Sequence, residues 1–382
     1  MTINICGDFT TEYNGIKSVE ENIAISSDIL KLFGCADINV VNLEAPVANE
    51  KMLPIKKAGP SLSTTPKTIE YLNRCKVNMV TLANNHFCDY GLAGVDETIR
   101  CLEKNNISHI GGGRNNGEVK NIHYVEIKGV KVAFFNYCEN EFSTLEDWGS
   151  NPLDTINVYH DLQKAKEIAD KRIIIIHGGH EGYQLPSPRM KKLYHFFIDV
   201  GADVVINHHQ HCYSGWEEYN NGVIFYGLGN FFFDEIDSKV SKKWNYGYIV
   251  NLNINNSLDV NYDVIPYKQC LEAKSTILLN DKEKVVFLKN IETINGIIKD
   301  DEVLLSQFEK FCRGQANNTL TSFSIYQNRF LLALCRRGFL PNFLGDKKKL
   351  NIMNKLRCES HKDVASEVFK LMLDKQKNEQ KR

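Results

Sequence analysis

Short apolar runs alternate with amphipathic stretches through the first two-thirds of the chain. The apolar runs are rich in β-branched residues and predict strands at 2–6, 38–43, 77–83, 130–137, 172–178, 203–208 and 222–228, and a hairpin at 246–267. The amphipathic stretches predict helices at 66–75, 92–105, 162–171 and 187–200. Because strands that alternate with helices build a largely buried sheet, this pattern predicts an α/β fold.

The composition changes after about residue 275. Helical patterns follow at 281–298, 301–313, 320–337 and 348–376, without strand patterns between them. We therefore predict two regions, an α/β region at 1–275 and an α-helical region at 276–382. The basic clusters of the second region, at 336–337 and 347–349, are interpreted as solvated helix ends.

Charge and cysteine content limit the classes of function. The chain of 382 residues has a formal net charge of -1, which gives no overall field to attract nucleic acid or an anionic membrane. Its 11 cysteines include no C-x-x-C pair, as expected of reduced thiols. The N-terminus lacks the pattern of a signal peptide, and no run reaches the roughly 18 apolar residues of a membrane helix. We therefore expect a cytoplasmic protein with no nucleic-acid partner and no membrane span.

Most predicted strands end in side chains that can bind a metal or transfer a proton. Ligands of α/β sheets bind outside the carboxyl ends of the strands, so these side chains are expected to converge. In chain order, they are Asp8, Glu44, Asn85, His86, His177, His209 and His211.

The pair His209 and His211 is the strongest single signal. Alternate residues of an extended segment project to one face, and two imidazoles on one face can chelate a metal. Carboxylate, amide and imidazole ligands together suit Mn, Fe or Zn. The size of the set suits two divalent ions, which could activate a water, with His86 as an acid for the leaving group.

Seven sequence blocks resemble the CapA family of poly-γ-glutamate capsule synthesis. They read GD at 7–8, NLEAPV at 42–47, LANNHFCDYGLAG at 82–94, IGGGRN at 110–115, HGGHEG at 177–182, GADVVINHHQH at 201–211 and FYGLGNFFFD at 225–234. This family is regarded as a branch of the calcineurin-like metallophosphoesterases. The resemblance implies a four-layer α/β/β/α sandwich with a two-metal centre between its sheets, followed here by a C-terminal α-helical appendage.

The resemblance also implies a role for each matching residue. Asp8 would bind the first metal, Glu44 would take the place of a bridging aspartate, and His86 would be the acid beside the metals. Glu181 would be a carboxylate that lines the site. The remaining metal ligands would be Asn85, His177, His209 and His211.

Two departures from the phosphoesterase pattern bear on the number of ions. The first block has Asp8-Phe9-Thr10 where ordinary phosphoesterases have Asp-x-His, and the second has Glu44 where they have aspartate. One imidazole is thereby lost from the first metal site, so one or two ions remain possible. Separately, Lys57 and Arg114 are candidates for holding an anionic substrate group, although each could equally be a surface charge.

Three functions are consistent with these observations. The first is a metal-dependent hydrolase of a phosphoester or a polyglutamate or peptide-like polymer, linked to capsule or surface-polymer biosynthesis. The second is a non-catalytic accessory protein of capsular polymer synthesis, whose helical region 276–382 binds a synthase partner. The third is an α/β protein whose histidines only satisfy its core.

Overall fold

The computed structural model describes residues 1–11, 15–57, 59–141, 143–145, 147–233, 242–271 and 274–357. The chain divides into two compact units, Met1–Phe308 and Glu309–Arg382. Among the described residues, no helix combines the length and the apolar character needed to cross a membrane.

The strands and helices of the described residues are as follows. The strands are β1 Thr2–Thr10, β2 Ile38–Leu43, β3 Met79–Thr81, β4 Ser108–Ile110, β5 Gly112–Gly113, β6 His123–Ile127, β7 Val130–Cys138, β8 Gly149–Ser150, β9 Lys171–His177, β10 Val204–His208, β11 Trp216–Tyr219, β12 Gly222–Phe225, β13 Asn230–Phe233, β14 Tyr246–Ile254, β15 Val260–Gln269 and β16 Thr276–Leu278. The helices are α1 Gly15–Glu20, α2 Ser27–Cys35, α3 Pro66–Arg74, α4 Gly91–Lys104, α5 Asn116–Val119, α6 Thr155–Lys166, α7 Pro188–Asp199, α8 Asp281–Lys299, α9 Asp301–Ser322, α10 Arg329–Arg336 and α11 Asp346–Arg357, with a 3₁₀ turn at Lys242–Asn245.

Two large sheets form the first unit. One has the order β16-β15-β14-β1-β2-β3-β4, with β13 also paired to β1, and the other has the order β11-β12-β10-β9-β7-β6. Strands β1 to β4 run parallel to one another, and so do β12, β10, β9 and β7. The parallel strands place their carboxyl ends along one edge of each sheet, where the predicted site residues follow.

The side chains of β1 and β2 alternate between two hydrophobic cores. Ile5 and Val40 point into a core shared with the second sheet, which also contains side chains of α6 and α7. Cys6 and Val41 point the other way, into a core with α2, α3 and α4. The layers are therefore helix, sheet, sheet and helix, which confirms the predicted α/β/β/α sandwich with helices after it.

The predicted elements are present in the part of the chain that the structure describes, but several of their bounds differ. The helix predicted at 162–171 runs from Thr155 to Lys166, because the Asp154 side chain accepts the Asn157 N–H at its start and Lys171 already belongs to β9. The helix predicted at 320–337 is interrupted after Ser322, and a new helix begins where Asn328 caps it. Part of the helix predicted at 348–376 lies outside the described residues.

The region after residue 275 begins with a strand, which the sequence did not predict. Residues Thr276–Leu278 form β16 and pair antiparallel with β15. Helix α8 follows and buries Phe287, Ile291 and Ile298 in the core between the sheets. The first compact unit accordingly extends to Phe308, and the division at 275/276 stays a prediction from composition.

Candidate metal centre

The predicted ligands meet where the carboxyl ends of β1, β2, β3, β9 and β10 approach one another. The register between β1 and β13 shifts beside Asp8, and the Asp8 N–H donates to the Gly229 carbonyl oxygen at 3.3 Å. Gly7 makes this close approach possible, because a Cβ there would overlap with the same carbonyl oxygen. The local backbone therefore brings the Asp8 carboxylate to the site.

Glu44 is a fully buried carboxylate in the middle of the cluster. Among the described residues, neither of its side-chain oxygens has a hydrogen-bond partner. Its Oε1 lies 3.6 Å from Nε2 of His177 and 3.5 Å from Nε2 of His211. Burial raises the pKa of Glu44 well above its usual value, and the nearby Asp8 raises it further. A buried carboxylate of this kind is costly unless a cation pairs with it.

His177, Asn85 and His209 provide three ligand atoms at close range. Nε2 of His177 lies 3.0 Å from Oδ1 of Asn85 and 3.0 Å from Nδ1 of His209. Atoms bound about 2.1 Å from one ion lie about 3.0 Å apart at right angles and about 3.4 Å apart at the tetrahedral angle. The three distances from Nε2 of His177, including 3.6 Å to Oε1 of Glu44, are short enough for these atoms to share one ion.

The imidazoles are in the form that binds metals. Burial lowers the pKa of His177 well below its usual value, and it lowers the pKa of His209 to about 3. Neighbouring imidazoles add to both shifts, since each disfavours a charge on the next. Both rings are thus neutral at physiological pH, and neutral imidazole is the ligand species.

His211 is held from the side opposite Glu44. Its Nδ1 donates to Oδ1 of Asn230 at 2.9 Å, because an amide oxygen can only accept. The other ring nitrogen, Nε2, is directed at Oε1 of Glu44, 3.5 Å away. The ligand atoms of Glu44, His209 and His211 lie within 4.8 Å of one another, so this group can also share an ion.

Asp8 contacts the same histidines from their other side. Its Oδ2 accepts the His209 backbone N–H at 3.2 Å and lies 3.5 Å from Nδ1 of His211. Its Oδ1 accepts from Nδ2 of Asn42 at 2.6 Å and lies 3.8 Å from Nδ1 of His177. Asp8 and Glu44 thus flank the imidazoles of His177 and His211 from two sides, Asp8 at Nδ1 and Glu44 at Nε2.

The H-x-H segment is not extended, so the geometric reason predicted for its shared face is wrong. β10 ends at His208, and His209 and His211 have φ of 85° and 53°. This left-handed conformation costs a residue other than glycine about 1–2 kcal/mol. Both imidazoles nevertheless join the cluster, because a tight turn rather than a strand directs them inward.

Residues 2–235 match the family model described as "Bacterial capsule synthesis protein PGA_cap". The chain belongs to this family. The PGA_cap match includes every ligand candidate from Asp8 to His211, and it confirms the resemblance to CapA.

Curated relatives carry the same family signal. This PGA_cap chain is 33% identical over 204 residues to "Capsule biosynthesis protein CapA" of Bacillus anthracis, which covers 51% of the chain and 50% of the relative. It is 29% identical over 230 residues to "PGA biosynthesis protein CapA" of Bacillus subtilis strain 168, with 59% of each covered. The chain therefore spans only 50–59% of the length of these relatives. A solved structure of a hypothetical protein from Thermus thermophilus aligns with a TM-score of 0.47 at 13% identity and covers 70% of this chain and 99% of its own.

His86 of this PGA_cap chain is held beside the cluster by a buried ion pair. Its Nδ1 lies 2.7 Å from Oδ2 of Asp89 and 3.1 Å from Nζ of Lys57. Lys57 is ion-paired with the other oxygen of Asp89. Burial lowers the pKa of His86, and Asp89 opposes that shift. The structure thus brings Lys57 to the site but engages its ammonium group within the protein.

Two other predicted residues lie in different surroundings. Glu181 is exposed, and its charge raises the pKa of Glu44 and that of Glu141. Arg114 is not brought to the cluster. Its guanidinium contacts Glu103 at 2.6 Å and Glu118 at 3.1 Å, in a surface group with α4 and α5.

The sequence prediction assigned no role to several side chains that hold or border the ligands. Asn42 orients Asp8, Asn230 orients His211, and Asp89 orients His86. Glu141 lies 3.9 Å from Nε2 of His209, and burial raises its pKa. One signal was available, because Asn42 is one of two asparagines inside the otherwise apolar strand β2.

Proposed function

We propose that this chain is a metal-dependent hydrolase in the synthesis of a bacterial capsule or surface polymer. Its substrate would be a phosphoester or an amide bond of a polyglutamate or peptide-like polymer. The family description supports the link to capsule synthesis. The α/β/β/α sandwich, with its ligand cluster at the strand ends, supports the hydrolase.

The observation that carries the proposal is the environment of Glu44. Its buried carboxylate has no hydrogen-bond partner among the described residues and faces Nε2 of His177 and Nε2 of His211. Oδ1 of Asn85 contacts the first of these nitrogens, and together these donors suit a cation. Glu44, Asn85, His177 and His209 would hold one ion, and Asp8 and His211 would complete a second site. A divalent ion bound there would supply Lewis-acid chemistry, which activates water near neutral pH and polarises the oxygen of the scissile bond.

Side chains beside the ligands would serve the substrate. Asp89 accepts the Nδ1 proton of His86, which leaves Nε2 of His86 to exchange a proton with the leaving group. Lys57 balances the charge of Asp89. Glu181 and Glu141 would border the entrance of the site. Their negative charges would repel a polyanionic substrate whose own charge is not neutralised by bound metal ions.

Metal content and activity together test this proposal. The chain is purified, loaded with manganese, iron or zinc, and assayed on aryl phosphomonoesters, aryl phosphodiesters and poly-γ-glutamate. We expect bound metal and turnover of one class, and loss of both in Glu44→Gln and in His209→Ala. Arg114→Gln is the matched control, because its ion pairs lie outside the cluster. A chain that binds no metal, or whose turnover survives both substitutions, contradicts the proposal.

We further propose that the protein acts in the cytoplasm. The cysteines of the described residues are free thiols, and Cys6, Cys75, Cys88, Cys101, Cys138, Cys212 and Cys335 are buried. Burial raises the pKa of Cys6 well above its usual value, so this thiol is inert. Cell fractionation tests the location, and recovery of the protein outside the cytoplasmic membrane would contradict it.

A further inference from the structure

Positive charge is concentrated in one short part of the second unit. Residues 323–357 contain eight basic residues and one acidic residue. The formal charge of this stretch is therefore +7, and that of the remaining chain is −8, given the net charge of -1. A segregation this strong creates a local field that favours an anionic partner.

The same stretch exposes large apolar side chains. Phe330 at the start of α10 is 69% exposed, and Phe339 and Phe343 between α10 and α11 are 73% and 60% exposed. Leu350 and Leu356 of α11 are also exposed. Single exposed apolar residues need no explanation, but a dense group of them marks an interaction site.

Basic and apolar side chains share faces of the two helices. Arg337, the C-cap residue of α10, follows Phe330 by seven positions, so both lie on one face, while Cys335 is buried on another. In α11, Lys349, Met353 and Leu356 are four and three positions apart and form a second mixed face. A partner that binds such a face would contact its apolar side chains and its cations together.

We propose that the surface formed by 329–356 docks on an anionic lipid bilayer. A helix with apolar side chains beside Lys and Arg buries its apolar part at the acyl boundary, and its cations meet the anionic headgroups. Nucleic acid would engage the cations but leaves no place for Leu350, Met353 and Leu356. A groove of an acidic protein would be filled by one continuous stripe, whereas these side chains are spread over two helices and the turn between them. This inference does not depend on the proposed hydrolase activity.

Vesicle sedimentation with the full chain tests the docking surface. The probes are vesicles of phosphatidylcholine alone and vesicles that also contain phosphatidylglycerol, each at low and at high salt. We expect sedimentation with the phosphatidylglycerol vesicles, which weakens as salt screens the charges, and little with phosphatidylcholine alone. Equal binding to both vesicle types, or none at low salt, overturns the proposal.

Two variants separate the contributions of charge and apolar contact. Replacing Lys347, Lys348 and Lys349 by glutamine should lower the partition coefficient on the order of 100-fold, because each cation near an anionic surface contributes about a factor of five. The double variant Phe330→Ser and Phe339→Ser should lower binding at both salt concentrations. The matched control is Ile156→Ser, since Ile156 is 67% exposed in the first unit. Circular dichroism checks that each variant keeps its helix content.

Other occupants of the surface would give different results. If the chain ignores lipid vesicles and sediments only with membranes that retain their proteins, a protein partner occupies the surface and the proposal is wrong. If vesicle binding appears only after removal of residues 358–382, the chain covers its own surface and the proposal fails for the full chain. An equal loss of binding in Ile156→Ser also overturns it.

Discussion

Replacing Glu44 by glutamine should stabilise the metal-free protein and abolish its stabilisation by metal. In the metal-free state, Glu44 must either keep a buried charge without a partner or take up a proton. Glutamine has nearly the same shape and no charge, so it removes this cost. With metal present, the same substitution removes the central anionic ligand. The two states therefore respond to one substitution with opposite signs.

The expected magnitudes are measurable. Leaving a buried polar group unsatisfied costs about 1–3 kcal/mol, and more when the group is charged, so metal-free Glu44→Gln should be about 1–3 kcal/mol more stable than the wild type. Free metal at 100 times its Kd should stabilise the wild type by about 2.7 kcal/mol. At about 2.1 cal/mol/K of unfolding entropy per residue, each kcal/mol moves the Tm of the unit Met1–Phe308 by about 1.5 °C, so both changes amount to about 1.5–5 °C.

The difference between the two proteins should also depend on pH. The folded-state pKa of Glu44 is raised above its ordinary value of 4.5. Folded metal-free protein therefore binds more protons than unfolded protein above that pH, and its stability falls as pH rises towards the folded pKa. The free energy of unfolding of the wild type falls by at most about 1.4 kcal/mol per pH unit through this group. Glutamine does not titrate, so it adds no pH dependence in the variant. The stability advantage of the variant should thus widen from pH 4.5 upward.

Differential scanning calorimetry of chelator-treated and metal-loaded protein measures all three effects. The matched control is Glu217→Gln, because Glu217 is also buried but is hydrogen-bonded to His195 at 2.8 Å and to the Tyr226 hydroxyl. That variant should lose stability and keep its response to metal. A metal-free Glu44→Gln protein that is less stable than the wild type, or one that metal still stabilises, would refute the reasoning.

Three further predictions concern residues around the cluster. Asp89→Asn leaves the Lys57 side chain buried without its ion-pair partner, so it should lower the free energy of unfolding, measured with urea, by about 3–5 kcal/mol. An unchanged urea midpoint would contradict the ion pair. Asn230→Ala removes the acceptor that orients His211, so calorimetry should show a metal affinity about 10- to 100-fold weaker; an unchanged Kd would mean that another group fixes this ring. His209→Gly should be more stable than His209→Ala by about 1 kcal/mol or more, because glycine adopts a φ of 85° without strain. Elsewhere alanine is usually the more stabilising of the two residues. Equal unfolding midpoints of the two variants would show that the turn relaxes.

The fold was predictable because its signals are local. The apolar runs that became β1, β2, β9 and β10 could only be strands buried on both faces, and the intervening helices fixed their parallel direction. Once the strands are parallel, residues that follow them must gather at one edge of the sheets. Asp8, Glu44 and His177 could therefore be assigned to one site although up to 169 positions separate them in sequence.

The residues that orient the ligands could not be predicted in this way. Asn42 lies inside β2, and its contact with His177 spans 135 positions and crosses from one sheet to the other. Asp89 and Lys57 meet only because an irregular segment folds back over α4, and no periodicity records such a contact. The sequence likewise could not show which basic residue reaches the site. Lys57 does, whereas Arg114 is held elsewhere by the carboxylates of Glu103 and Glu118.

The H-x-H segment shows why a correct prediction can rest on the wrong geometry. A strand would direct His209 and His211 to one face through its pleat, but the chain leaves the strand at His208 and turns through two left-handed residues instead. Local propensity favours glycine or asparagine at such positions, and histidine there stores strain. Folding alone therefore gives no reason for imidazoles at 209 and 211. Their contacts do, because each ring faces the unpartnered carboxylate of Glu44 or another ligand of the same cluster.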